Sequence, residues 1–457
     1  MKNFIKKAVL VVLVVFVASC SDDDDGTFTP DSMTIADFVA GDANYSSLLA
    51  ALQRTELDVT LNGTGTFTVF APNNAAFEEF LDGAALADVP TDVLKQILLN
   101  HVLGTTVTSS ELSTGYTTNL ATEESSGANL STYIDISDGV VINGVSTVTT
   151  ADIQTDNGVI HAVSKVIPLP TMLTFVALDP DLSSLAGVAT TTEGFTTDFG
   201  AVLSADDSNI TLLAPDNDAF VDLGDISGLE VASLEQILLN HVIGGVNVSS
   251  DLTTSYANTL ATYGATTNNL SIYINTDSGV SFNGISDVNE ADIVATNGVV
   301  HKVNAVITLP TVVTFATADA TFSNLVAALT RDDQADQNYV DILSTPNGTS
   351  PAPFTVFAPT DTAFSDLLTE LNASELADID TATLTATLNL HVVAGSNVTA
   401  SDLMTGEVET LGGDISVDAT EATITDANDR VSNIIVTDVQ AANGVIHAID
   451  TVILPEL

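Results

Sequence analysis

Three pairs of histidines carry the side chains best suited to metal binding or proton transfer: His101 with His161, His241 with His301, and His391 with His447. The members of each pair stand 60, 60 and 56 residues apart. A metal site needs several ligands, usually at close local spacing and each held by a further hydrogen-bonded partner, and two distant histidines per unit do not supply that. Strand parity points these side chains inward instead. His161 shares a face with Val159, Val163 and Ile167. His301 shares one with Val299, Val303 and Ile307, while Lys302 and Asn304 alternate to the other side and mark it as the wet one. His101 closes the series Leu94, Ile97, Leu98, His101, the spacing of an apolar helical stripe. All six read as buried, hydrogen-bonded core residues. Asp152, Asp292 and Asp438 precede the second histidine of each pair at similar intervals and read as turn or loop caps rather than calcium ligands, since no D-x-D-x-D-G loop accompanies them. No G-x-S-x-G elbow, H-E-x-x-H helix or phosphate loop occurs. The expectation is no catalytic residue, no metal, no cofactor and no enzyme.

The single cysteine has a different context. Lys2, Lys6 and Lys7 precede the apolar run Ala8–Val17, and Ala18-Ser19 lead into Cys20. This is the pattern of a secretory signal peptide with small residues at the cleavage point, and the run is too short to span a bilayer. Val17-Ala18-Ser19-Cys20 resembles the lipobox of bacterial lipoproteins, which implies removal of residues 1–19 and acylation of Cys20. A multiply acylated cysteine anchors stably where one chain alone holds marginally. Residues 20–32, with Asp22–Asp25, then form an acidic tether, and the acidic run resembles the signal that sends some lipoproteins to the outer face of the outer membrane. One cysteine also rules out an internal disulfide framework.

The elements that must position the histidines recur three times. Thr66–Phe77 reads TFTVFAPNNAAF, Ile210–Phe220 reads ITLLAPDNDAF, and Phe354–Phe364 reads FTVFAPTDTAF. A block around His101, His241 and His391 follows, and each unit closes on Asn157–His161, Asn297–His301 or Asn443–His447. Pro72, Pro215 and Pro359 are separated by 143 and 144 residues, a period that means whole domains rather than a solenoid. The expected domains are 33–170, 171–310 and 311–457, joined without a flexible Gly/Ser linker and so stacked as a semi-rigid rod. Within a unit, Ser46–Leu52 reads as helix, and the match in the second unit, which contains Gly187, reads as a weaker one. Thr66–Ala71 reads as strand, Asn73–Leu81 as helix, and the second half as sheet. Leu130, Thr132, Ile134 and Ile136 alternate with Ser131, Tyr133 and Asp135, and Asn143-Gly144 and Asn283-Gly284 supply hairpin turns.

The charge balance excludes a partner class. Sixty Asp and Glu against nine Lys and Arg leave a formal charge of −51 over 457 residues. Such a surface repels phosphate backbones, so nucleic acid is not a partner. The acidic surface reads as solvation, with self-repulsion screened by salt.

With these three blocks in one order, each unit resembles the fasciclin-like domain family. The resemblance implies a mixed α+β, mainly β fold, each domain a wedge-like β-sandwich covered by several helices. It also implies adhesion, or interaction with extracellular matrix protein or polysaccharide, by a surface-exposed outer-membrane lipoprotein. Adhesive animal members often carry Tyr before the first histidine, a pair linked to integrin binding; here Asn100, Asn240 and Leu390 stand there, which leaves that interaction unsupported. A few relatives bind carotenoid pigments, so a small hydrophobic ligand near Met172-Leu173 or Val312-Val313 is the alternative, and a passive surface spacer is another. The sequence does not set the oligomeric state.

Overall fold

The structure, a computed structural model, describes residues 33–190, 194–225 and 228–456. Residues 1–32, and with them Cys20 and the signal-peptide and tether segments, lie outside the described residues. Helix and strand are nearly balanced, at about 33% and 29%, in a mixed α+β architecture repeated three times.

In the first domain the strands are β1 (Phe67–Pro72), β2 (Val102–Leu103), β3 (Gly115–Thr122), β4 (Asn129–Asp135), β5 (Val141–Ile142), β6 (Ser146–Thr155) and β7 (Gly158–Val163). They form one sheet of order β2-β1-β7-β6-β5-β4-β3. The third domain repeats this order, and in the second the sheet closes into a barrel through Thr259 against Ile243. β1 and β7 run parallel, one strand in from the β2 edge, with Phe70 opposite His161. This is where the two most apolar strands meet, and every residue of β7 is buried. Asn143 and Gly144 both take positive φ, +46° and +65°, as the central residues of the turn between β5 and β6 that Val145 N closes by donating to Ile142 O.

Helices Ile35–Gly41, Ser46–Thr55, Leu57–Leu61, Asn74–Leu81 and Thr91–Leu99 cover one side of this sheet. Thr34 caps the first through a capping box with Asp37, and Asn73 caps the fourth by accepting from Ala76 N. Together with the sheet they enclose a core containing Leu48, Leu52, Val69, Phe77, Leu94 and Ile160. The segment containing Gly187 is helical over Ser183–Thr190, because burial of Leu185 and Ala189 outweighs its weak propensity.

The closing Asn-Gly motif ties each domain together. Asn157 accepts from Ile35 N at 2.9 Å and donates to the carbonyls of Leu61 and Gly63 at 2.7 and 3.0 Å. One side chain thus satisfies the start of the first helix and the end of the third. Asn297 and Asn443 repeat the arrangement at Met172 and Val312. Gly158 lies at φ +153° against β1, where a Cβ would overlap the carbonyl oxygen of Phe67.

Candidate functional site

All six histidines are buried, at 0–2% exposure. His101 stands two residues past the end of Thr91–Leu99 and folds back under it. Its Nδ1 donates to Ile97 O at 2.7 Å and its Nε2 accepts from Ile167 N at 2.8 Å. His241 and His391 make the same pair of bonds, to Ile237 O and Ile307 N, and to Thr387 O and Ile453 N. A ring that donates at one nitrogen and accepts at the other is neutral. Burial accordingly pushes all three down to about 4, against the opposing pull of the helix-end carbonyl.

The second histidines take the other tautomer. His161 Nδ1 accepts from Asp152 N at 3.2 Å, and Nε2 donates to Val107 O at 3.0 Å. His301 does the same between Asp292 N and Asn247 O, and His447 between Asp438 N and Val398 O. The ring of His161 also stacks on Phe70, centroids 5.7 Å apart. Both nitrogens of every imidazole are therefore bonded to backbone, and no lone pair faces a ligand. Among the described residues no three His, Cys, Asp or Glu side chains converge as a metal site.

Asp152, Asp292 and Asp438 sit at φ +60°, +62° and +60° in a bulge of the long strand that precedes each second histidine. The bulge aims their amide at the histidine. The Asp152 carboxylate turns back to accept from Ser109 N and Oγ, which holds it below the ordinary carboxylate range. Asp292 accepts from Ser249 in the same way, and Asp438 from Ala400 N. The three aspartates cap loops.

The position before the first histidine is structural as well. Asn100 donates to the carbonyls of Ile167 and Pro168, and Asn240 to those of Ile307 and Thr308. Leu390 is buried at 4% exposure in the third domain.

The least expected polar arrangement lies where domains meet. Ser131 on β4 is buried, and its Oγ accepts from Val294 N of the second domain at 2.9 Å. Tyr116 and Tyr133, centroids 5.0 Å apart, lie against Phe175, and Tyr116 Oη donates to Asp179 at 3.1 Å. The next joint repeats this with Ser271 and Gln440 N, Tyr256 and Tyr273 with Phe315, and Tyr256 Oη donating to Asp319. Burial, reinforced by the neighbouring aspartate, holds both Tyr116 and Tyr256 in the protonated form. β4 is therefore buried on both faces, one by its own core and one by the next domain.

Lys302 corrects the parity reading of the wet side. It does alternate away from His301, but that face is covered, and its side chain is 9% exposed. Its Nζ lies 3.2 Å from Asp179, 3.2 Å from Asp181 and 2.9 Å from Glu290. Burial opposes the charge, but the bond to Glu290 and the attraction of Asp179 outweigh it and hold the ammonium above its ordinary value. The segment that carries Asp179 and Asp181 folds over the strand, and sequence spacing alone carries no sign of this.

One apolar cavity of about 80 Å³ opens in the third domain, between the helices Val312–Ala318, Ser323–Leu329 and Tyr339–Leu343 and the sheet below them. Val312, Val313, Ala316, Leu329 and Val356 line it.

The comparisons with known proteins agree with this threefold construction. The family model for the fasciclin domain matches residues 43–170, 180–310 and 320–455. Protein sll1483 of Synechocystis sp. is 35% identical over 147 residues, 32% of this chain and 77% of that protein. Protein sll1735 of the same organism is 39% identical over 153 residues, 32% of this chain and 98% of that protein. The transforming growth factor-beta-induced protein ig-h3 of Sus scrofa is 28% identical over 423 residues, 90% of this chain and 56% of that protein. The chain belongs to the fasciclin domain family and carries three tandem copies of the domain.

Proposed function

We propose that the protein is a lipoprotein displayed on the outer face of the outer membrane, anchored through Cys20, whose fasciclin domains mediate adhesion to an extracellular protein or polysaccharide. The observation that carries this is the order of parts: a lipobox-like Val17–Cys20, an acidic tether, and three fasciclin domains in tandem. Linked modules raise avidity without any new contact, provided their spacing is held. The packed tyrosine joints supply such spacing. No group with catalytic geometry has a part in this reading, and the membrane is contacted through the lipid alone.

The test compares wild-type with Cys20→Ala in a Gram-negative host. Protease on intact cells should remove the wild-type protein, and the variant should be recovered unanchored. The displayed protein should then retain matrix proteins or glycans that cells lacking it do not. Protection of an anchored wild-type protein would place it in the periplasm and end the adhesin reading.

The cavity of the third domain favours a second reading, small-molecule binding, because its lining is apolar and Val312 and Val313 belong to it. Its size limits the guest. An engineered cavity of about 150 Å³ holds benzene, so about 80 Å³ encloses a short aliphatic segment, and a pigment of carotenoid length would have to extend out through its open side. An absorbance band above the protein region in native protein would favour this reading over adhesion, and its absence would count against a pigment.

A further inference from the structure

The two internal joints define a docking rule from which the first and third domains then depart. In each joint the earlier domain presents a hairpin bearing a tyrosine pair and a serine. The later domain presents a phenylalanine, an aspartate and a strand amide. The receiving residues occupy fixed positions. Phe175 and Asp179 stand four and eight residues after the helix cap Thr171, and Phe315 and Asp319 stand likewise after Thr311. Val294 and Gln440 each stand three residues before the closing asparagine, Asn297 or Asn443.

The first domain keeps the receiving set. Counting from its cap Thr34 gives Phe38 and Asp42, and counting back from Asn157 gives Gln154. These are the residue types of the second joint, where Phe315, Asp319 and Gln440 are seated against Tyr256 and Ser271. Yet among the described residues no other domain is seated on them. Ile293-Val294-Ala295 and Val439-Gln440-Ala441 are buried throughout, while Gln154 is exposed and Ile153 and Thr155 are half-buried. Phe38 is likewise half-buried, leaning on Tyr45 at 5.6 Å.

The third domain has lost the presenting set. Tyr116 pairs with Tyr133 across β3 and β4, and in the same register Glu407 pairs with Ser416. Asp414 stands where Ser131 and Ser271 do, two residues before that pair member. All three replacements are exposed. An acidic Glu407 in place of a phenol would face the carboxylate of Asp42, which accepts a hydrogen bond from Tyr but repels Glu. A head-to-tail interface with matched ends grows into open filaments, and this substitution removes one end.

We infer that the outer face of the first domain, built on Phe38, Asp42 and Gln154, docks the tyrosine-bearing hairpin of a fasciclin-type domain on a separate polypeptide. The occupant follows from the chain itself: the same face is filled by that hairpin at both internal joints. A second copy is not the occupant, because both of its tyrosine pairs are already seated and its third domain has none.

The full-length chain carrying Glu407→Tyr, Asp414→Ser and Ser416→Tyr tests the inference, because a second copy then becomes a partner of known chemistry. By sedimentation velocity the wild-type chain should remain monomeric, and the restored chain should associate with rising concentration. Adding the surface change Gln154→Arg should weaken that association at least tenfold. All four positions are exposed, and circular dichroism verifies the fold; if the triple variant misfolds, Glu407→Tyr with Ser416→Tyr restores the aromatic pair alone. A folded restored chain that stays monomeric overturns the inference. So does association that Gln154→Arg leaves unchanged, or self-association of the wild-type chain.

Discussion

Ser131 and Val294 are 163 residues apart in sequence, and the Val294 amide donates to the Ser131 hydroxyl at 2.9 Å across the first domain joint. Both residues are buried, at 2% exposure each, so neither group has water as an alternative partner. The joint is thus a packed interface with its own satisfied polar core. We expect Ser131→Ala to strand the Val294 amide and to weaken the coupling of the first two domains by about 1–3 kcal/mol. Calorimetry should show the first two domains unfolding further apart in temperature, while Asp414→Ala, at the matching exposed position of the third domain, should leave the trace unchanged. Identical traces for Ser131→Ala and wild type would refute the coupling.

The first histidine of each domain links folding to pH. Burial lowers His101, His241 and His391 to about 4, from the 6.5 of a free imidazole. Between those values the unfolded chain binds protons that the folded chain refuses. Their contribution is therefore intact above pH 6.5 and is lost as pH falls toward 4, by about 3 kcal/mol per domain. In NMR titration of the folded protein these imidazole signals should not move down to about pH 5. A midpoint near 6.5 for any of the three would show that its ring is not held neutral.

Lys302 should be costly to remove. Its ammonium is the cation facing Asp179, whose side chain is 4% exposed. Lys302→Met leaves that carboxylate buried with its hydrogen bonds from Tyr116 and Asp181 N but no countercharge, a loss of up to about 3–5 kcal/mol on the pattern of broken buried pairs. Denaturant unfolding measures it. Replacing Asp181, whose side chain is 71% exposed, with Asn should change stability by less than about 1 kcal/mol. Equal effects would mean that the cluster behaves as a surface pair.

Asp152 combines a left-handed backbone with a cap on Ser109. Asp152→Asn keeps both the conformation and one acceptor, and should be mild. Asp152→Val places a β-branched residue at φ +60° and removes the acceptor, which should destabilise the first domain by about 2 kcal/mol or more. Thermal denaturation separates the two variants, and the prediction fails if Val is tolerated as well as Asn.

Much of this protein was legible in one dimension. The period of the repeats, the Asn143-Gly144 turn, the strand that ends in His161 and the helix that leads to His101 follow from local rules. Turn chemistry, alternation and apolar spacing act over a few residues and are written there. Alternation also separates His301 from Lys302 correctly, because it says which side chains share a face. It does not say what covers a face. Whether the Lys302 side meets water or the Asp179–Asp181 segment, and whether the Ser131 side of β4 meets solvent or the next domain, depends on chain more than a hundred residues away. The bulges that aim Asp152 at His161 are likewise invisible as spacing, since they arise where two strands of unequal length must stay in register. Local patterning thus determined the elements and their inward faces, and tertiary packing alone decided which outward faces were buried, because burial is a property of pairs of surfaces.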